Sequence, residues 1–382
     1  MTLSAQHIDG QQQGVFNETQ MERLMKTLKL KAILATASLV IAASLSSARA
    51  ETFTLRIGAG HPATSIGYVV AANKFFVPET AKRVAARTNH RLNWVELYGG
   101  TAAKLPEVLT ATQNGVLDVG LISYSFDTTN LYLHALGFYI PFSIPDPHKS
   151  IAAMRAVYDE VPFFRDVLEQ KFNQKFLALG SFSDYGFGTN FAMKSFADLK
   201  GKKMGLAGPN APWVRNTGVT PVVSNLNEAY NALQSNIYQA FMVFPNAYHG
   251  FKLHEVSKTY VVAGLGSPAA TGMTMNLATW KKLPPEVQQI IQEVALEYEK
   301  ACATIEADGH KQAIDNLRAA KVTIVELSEQ DRKAWAEAVK DVPNDAAKEA
   351  NRRGLPGSAA FKSYFKQAQA LGYQWPAVYP ID

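Results

Sequence analysis

Residues 53–97 read FTLRIGAGHPATSIGYVVAANKFFVPETAKRVAARTNHRLNWVEL, and the order of patterns within them decides the fold class. FTLRIGA (53–59) alternates Phe53, Leu55 and Ile57 with the two-residue period of a half-buried strand. A helix-like stretch follows from about Ser65 to Arg87, and Pro78 predicts a kink or split within it. RLNWVEL (91–97) is a second strand, closed by Gly99-Gly100. Leu105 to Gln113 reads as a helix ending at Gly115, and VLDVGLI (116–122) as a third strand. Strands joined by helical crossovers imply a parallel sheet and an α/β fold.

A second series of strands is expected at 176–181, 203–207, 219–223, 237–244, 260–265 and 273–277. The last third is helical. Pro284-Pro285 open a helix with Val287, Ile290, Ile291, Val294 and Tyr298 on one face, and Phe361, Tyr364, Phe365 and Leu371 form another stripe before Gly372. With no linker or internal repeat between the two series, the expectation is two α/β lobes joined by crossing strands, with a cleft between them.

From Met25 the chain reads MKTLKLK, then the apolar run AILATASLVIAASL, then SSARA. This is the pattern of an export signal, with small residues at Ala48 and Ala50 before a cut, and the run is too short to span a membrane comfortably. The patternless residues before Met25 suggest Met21 or Met25 as the start, so 1–50 is read as extension plus signal and the mature chain begins at Glu51. Beyond residue 50 there are 33 basic and 30 acidic side chains, which is no nucleic-acid signature. The lone Cys302 permits neither an internal disulfide nor a thiolate metal cluster. The expected product is exported, monomeric and not membrane-embedded.

Catalytic motifs fail on inspection. HEVSK (254–258) has Lys258 where a zinc-protease helix needs its second histidine. GAGHPATSIG (58–67) is not a dinucleotide fingerprint, and Pro268 in GLGSPAA (264–270) opposes a nucleophile turn. His249 and His254 lie close together but have only Glu255 at ligand spacing. No catalytic residue, metal or cofactor is expected. Aromatics instead gather at strand ends and loops: Tyr98, Tyr124, Tyr185, Trp213, Phe244 and Tyr248. In open α/β sheets, ligands sit at the C-terminal ends of strands.

The order of motifs resembles a known family. An AGH loop after the first strand is followed by the Gly-Gly of LYGGTAAK, QNGVLDVGLIS, FYIPF, the turn FADLKGKKM, NEAYNALQSNIYQAF (227–241) and ATWKKLPPEVQQIIQEV. This series is similar to the solute-binding proteins of TRAP (tripartite ATP-independent periplasmic) transporters, over nearly all of 53–365. The resemblance implies a two-lobed, periplasmic-binding-protein-like (type II) fold with a long spanning helix, closing on its solute like a clamp. Its lobes would be 51–182 plus 269–308, and 183–268 plus 309–382 with the C-terminal helices. It also implies a periplasmic location in a Gram-negative cell and a membrane permease of large and small subunits as partner.

The site departs from the family's pattern. Where most members carry an arginine that forks onto a substrate carboxylate, this chain has Gly205; a second arginine corresponds to Tyr185, and a family asparagine to Val243 or Phe244. The residues expected at the solute are these four, together with His61, Tyr68, Tyr98, Ser123, Tyr124 and Trp213. Lys200, Lys202 and Lys203 read as a solvated turn. His61 and Arg56 remain as polar or cationic groups, and Arg215 is expected to face solvent. A dicarboxylate is therefore disfavoured, and an apolar or aromatic monocarboxylate or a neutral solute is favoured. A secreted enzyme and a sensory receptor are the competing functions.

Overall fold

The computed structural model describes residues 21–23, 25–27, 50–64 and 66–382, so the expected signal segment lies almost wholly outside the described residues. Residues from Thr52 onward form two sheets. The first has the order β2-β1-β3-β10-β4, from β1 (Thr52–Ala59), β2 (Arg91–Leu97), β3 (Val119–Ser123), β4 (Gln174–Gly180) and β10 (Thr271–Asn276). The second has the order β11-β9-β5-β8-β6-β7, from β5 (Gly186–Thr189), β6 (Lys203–Leu206), β7 (Thr220–Val223), β8 (Ala240–Val243), β9 (Thr259–Val262) and β11 (Thr323–Glu326).

The expected parallel pairing holds for β1 with β2 and β3, but β10 runs antiparallel to both β3 and β4, so the first sheet is mixed. The reason is connectivity. β10 returns from the second sheet rather than arriving through a helical crossover on the first. Two extended segments make that exchange, 181–185 outward and 263–270 back, and they bond to one another: Tyr185 N–H to Gly266 O at 2.9 Å, Leu265 N–H to Tyr185 O at 3.1 Å and Phe182 N–H to Pro268 O at 3.1 Å.

The long helix Pro285–Ala319 is the third link between the sheets. At about 1.5 Å per residue its 35 residues reach roughly 50 Å. Val287, Ile290, Ile291, Val294 and Tyr298 are all buried, as their spacing predicts. Glu299 fastens the helix to the first sheet by accepting from Leu179 N–H at 2.7 Å and pairing with Arg155. Farther along, Glu306 accepts from Asn246 Nδ2, at 2.8 Å, on the helix Pro245–Gly250 that follows β8.

Pro78 is accommodated without breaking the chain direction. The helix Gly67–Ala71 passes through a π turn, Ala72–Phe76, into the helix Val77–Arg87, where Pro78 occupies the first turn and needs no N–H partner. The C-terminal helices differ from expectation. Val342–Arg352 and Gly357–Ala370 pack with each other, the first also against the segment Leu133–Tyr139 and the second against the helix Pro147–Glu160, so they lie on the first sheet's side rather than the second's. Phe361, Tyr364 and Ala347 share one buried cluster with Leu109, Ile122 and Leu179, and apolar burial there outweighs sequence proximity to β11.

Candidate functional site

A cavity of about 480 Å³ opens between the two sheets, and the C-terminal ends of strands from both supply its wall. His61 follows β1, Gly99 and Gly100 follow β2, and Ser125 and Phe126 follow β3. From the other side come Ala207 and Asn210 after β6, Ser224 after β7, and Val243 and Phe244 at the end of β8. Phe138, Phe182 and Tyr185 complete the floor.

The local turns explain these positions. Gly99 and Gly100 have φ of +72° and +80°, a conformation that favours glycine, and their N–H groups bond to His61 O at 2.9 Å and Ala59 O at 3.0 Å. Past that turn, Lys104 also lines the cavity. The Lys104 side chain is exposed and makes no ion pair among the described residues. His61 is buried and its Nδ1 lies 2.9 Å from the Tyr68 hydroxyl, and its Nε2 has no hydrogen-bond partner among the described residues. Burial lowers the His61 pKa to about 4, so its ring is neutral near pH 7.

The aromatic floor is a set of interlocked rings. Phe182 and Phe244 lie 5.5 Å apart at 32°, and Tyr185 meets Phe244 edge-on at 5.3 Å. Trp213 stands behind them. It meets Tyr185 at 5.6 Å and donates its indole N–H to Phe138 O at 2.6 Å. The Tyr185 hydroxyl has no hydrogen-bond partner among the described residues and is available to a solute.

Of the residues expected at the solute, the structure brings His61, Tyr185, Val243 and Phe244 to the cavity wall. Six stand elsewhere. Tyr68 and Trp213 are buried one layer back, holding His61 and Tyr185. Ser123 bonds Ser125 Oγ at 3.2 Å, and the turn Tyr124–Phe126 sends Phe126 to the cavity while Tyr124 packs on His134. Tyr98 precedes the glycine turn, and it is Gly99 and Gly100 that form the wall. Gly205 faces neither cavity nor solvent. A Cβ there would meet the Tyr238 ring at 2.5 Å and the Phe241 ring at 2.7 Å, so the two rings fill that space.

The alternative cations are also committed elsewhere. Arg56 binds Asp118 at 2.8 Å and Gly115 O at 2.8 Å, and Arg215 pairs with Asp345. Lys202 lies over the Phe191 ring at 4.7 Å, away from the cavity. Among the described residues no arginine lines the site, and Lys104 and His61 are its cationic or protonatable side chains. Lys104 and Asn210 were missed from sequence. Lys104 carries a readable signal, its place just after the glycine turn at the end of a strand, whereas nothing in GPNAP marks Asn210.

Two sheets, a spanning helix and one cleft at the strand ends define a two-lobed solute receptor. Residues 70–349 match the family described as bacterial extracellular solute-binding protein, family 7, and the chain belongs to that family. It is a binding protein, not an enzyme. It is 24% identical to the monocarboxylate 2-oxoacid-binding periplasmic protein of Nostoc sp. (strain PCC 7120), covering 91% of this chain and 94% of that one. A TRAP periplasmic solute-binding protein from Desulfovibrio salexigens superposes with a TM-score of 0.72 at 18% identity, over 85% of this chain and 98% of that one. DctP6 of Bordetella pertussis, a receptor binding pyroglutamic acid, gives 0.69 at 18% identity, over 82% and 100%. No helix among the described residues is long and apolar enough to cross a membrane.

Proposed function

We propose that this chain is the receptor of a TRAP-type transporter for a small organic monocarboxylate with an apolar or ring-shaped body. It hands that solute to a membrane permease of one large and one small subunit. The observation that carries this reading is the distribution of charge in the cavity: Lys104 and His61 both line it from loops of the first sheet, and the rest of the wall is mainly aromatic and aliphatic. One carboxylate finds an ammonium and an imidazole there. A second would lie against Phe182, Tyr185 and Phe244, where a desolvated charge without a partner is costly. His61, Tyr185, Val243 and Phe244 are the residues we assign to the solute from the sequence reading, with Lys104 added from the geometry. The solutes named for the Nostoc and Bordetella proteins each carry a single carboxylate, which is consistent with this reading. Export by residues 25–50, with removal after Ala50, fits the same role.

Isothermal titration tests it. Pyruvate and larger 2-oxo-monocarboxylates should bind at least about tenfold more tightly than succinate or malate, a difference of about 1.4 kcal/mol. Micromolar binding of succinate by the unmodified protein would overturn the reading.

A further inference from the structure

Asn210 stands on the cavity wall with its side-chain amide unpaired among the described residues. It lies on the 3-10 segment Gly208–Val214 that leaves β6, it is 1% exposed, and it lines the cavity. Neither its Oδ1 nor its Nδ2 has a hydrogen-bond partner among the described residues. A buried amide with both ends unpaired is rare in folded proteins, because each lost hydrogen bond is costly.

The segment that carries it has little freedom to escape. Pro209 and Pro212 flank it, Asn210 N–H bonds Ala207 O at 3.0 Å, and Trp213 is tied through its indole to Phe138 O on the first lobe. The neighbouring polar wall is already engaged. Ser224 Oγ bonds the Tyr238 hydroxyl at 3.1 Å, and Asn225 Oδ1 caps Asn227 N–H at 3.0 Å.

We infer that Asn210 reads an amide group on the solute, a lactam or primary carboxamide, at the end opposite its carboxylate. The inference rests on the monocarboxylate reading and deepens it. A side-chain amide presents one acceptor and one donor side by side. Another cis amide satisfies both at once, its carbonyl accepting from Nδ2 and its N–H donating to Oδ1. A carboxylate satisfies Nδ2 and leaves Oδ1 facing like charge. A lone hydroxyl engages one end at a time. With Lys104 and His61 on the first lobe and Asn210 on the second, such a solute touches both lobes through its two ends.

The test is titration calorimetry with three five-membered-ring acids of matched size. Pyroglutamate carries both C=O and N–H, 5-oxotetrahydrofuran-2-carboxylate carries C=O alone, and cyclopentanecarboxylate carries neither; neutral 2-pyrrolidone is the fourth probe. Pyroglutamate should bind at least about tenfold more tightly than the lactone and about a hundredfold more tightly than the carbocycle, each step losing one hydrogen bond to a buried group. In Asn210→Leu the affinities of the three acids should converge, and Asn210→Gln should restore part of the ranking. Equal affinities in the unmodified protein, or an unchanged ranking in Asn210→Leu, would overturn the inference and leave the monocarboxylate reading standing. Binding of 2-pyrrolidone without any of the acids would overturn the carboxylate reading and keep the amide one. Failure of all four probes would overturn the inference together with that reading.

Discussion

The cavity and the crossing region behind it both bury polar groups with an unpaired atom, and they resolve the cost differently. Asn210 lines a space of about 480 Å³, and the solute we propose completes its bonds. Glu306 is fully buried where the long helix meets Gly67 and Asn246, and its Oε1 has no partner among the described residues. A Cβ on Gly67 would lie 2.3 Å from that oxygen, so no space exists for a ligand. Burial raises the Glu306 pKa to about 8, and the group relieves its cost by keeping a proton. An amide cannot neutralise itself in this way. An unpaired group beside a void therefore points to a ligand, and one in packed structure points to protonation.

The largest effect that would break or sharpen this contrast is at Lys104. Lys104→Met keeps the apolar stem and removes the ammonium. A charge-assisted bond contributes about 1.5–3 kcal/mol, so affinity for a monocarboxylate should fall roughly tenfold to a hundredfold. Affinity for a neutral solute should be unchanged. The melting temperature without solute should also hold, since the side chain is exposed and forms no ion pair among the described residues. Calorimetry showing less than a threefold loss would place the carboxylate elsewhere.

Glu306→Gln probes the other region and should act on stability. In the unfolded chain the carboxyl titrates near 4.5, and in the folded protein at about 8. The folded state thus keeps a proton that the unfolded state has lost. Stability declines as pH rises from about 4.5 to about 8, by roughly 1.4 kcal/mol per pH unit for one fully shifted group. Glutamine has the same shape and no charge, so the variant should gain on the parent as pH rises. Melting curves at pH 5, 6.5 and 8 measure that difference. Asp184, also raised by burial, is common to both proteins and cancels. A difference that stays flat with pH would remove Glu306 as the titrating group.

The sequence carried the frame of this molecule more clearly than its site. The alternation in 53–59 and 91–97 marks β1 and β2 almost residue for residue, because each has one face to bury. GFGT (186–189) gave no strand signal, since its two glycines leave room for the rings of Tyr248 and Tyr260. IYQAFMVF shortened to Ala240–Val243 because Asn236, at φ +55°, and Ile237 turn the chain out of the preceding helix first. At the site, strand-end position picks out His61, Tyr185 and Phe244, and the family resemblance Val243, all on the cavity wall, but neither tells which of two successive residues faces the cavity. Thus Tyr124 was read for Phe126, and Tyr98 for the glycines after it. Absence of an arginine at 205 was legible; that Tyr238 and Phe241 occupy its space depends on contacts between strands and was not.

The smallest expected effect concerns His61, and it joins the two behaviours in one residue. Its pKa of about 4 reflects burial, with Tyr68 as its one hydrogen-bond partner among the described residues. A carboxylate beside Nε2 favours the imidazolium, so the pKa must be higher in the complex than in the free protein. Binding then takes up protons, and affinity for a monocarboxylate should rise as pH falls from the bound-state pKa toward about 4, by at most tenfold per unit. Stability without solute moves the opposite way. The free imidazole titrates near 6.5 when unfolded and about 4 when folded, so His61 and the likewise buried His134 cost stability as pH falls through that range. His134, bonded to Phe164 O at 2.9 Å within the protein, shares the stability loss but should not affect binding. Calorimetry with pyruvate, which stays ionised, from pH 7.5 to 4.5 separates the two. The unmodified protein should bind severalfold more tightly at the acid end, and His61→Gln should flatten the profile. A profile that falls with acid, or a slope that survives in His61→Gln, would mean that the carboxylate does not meet this histidine.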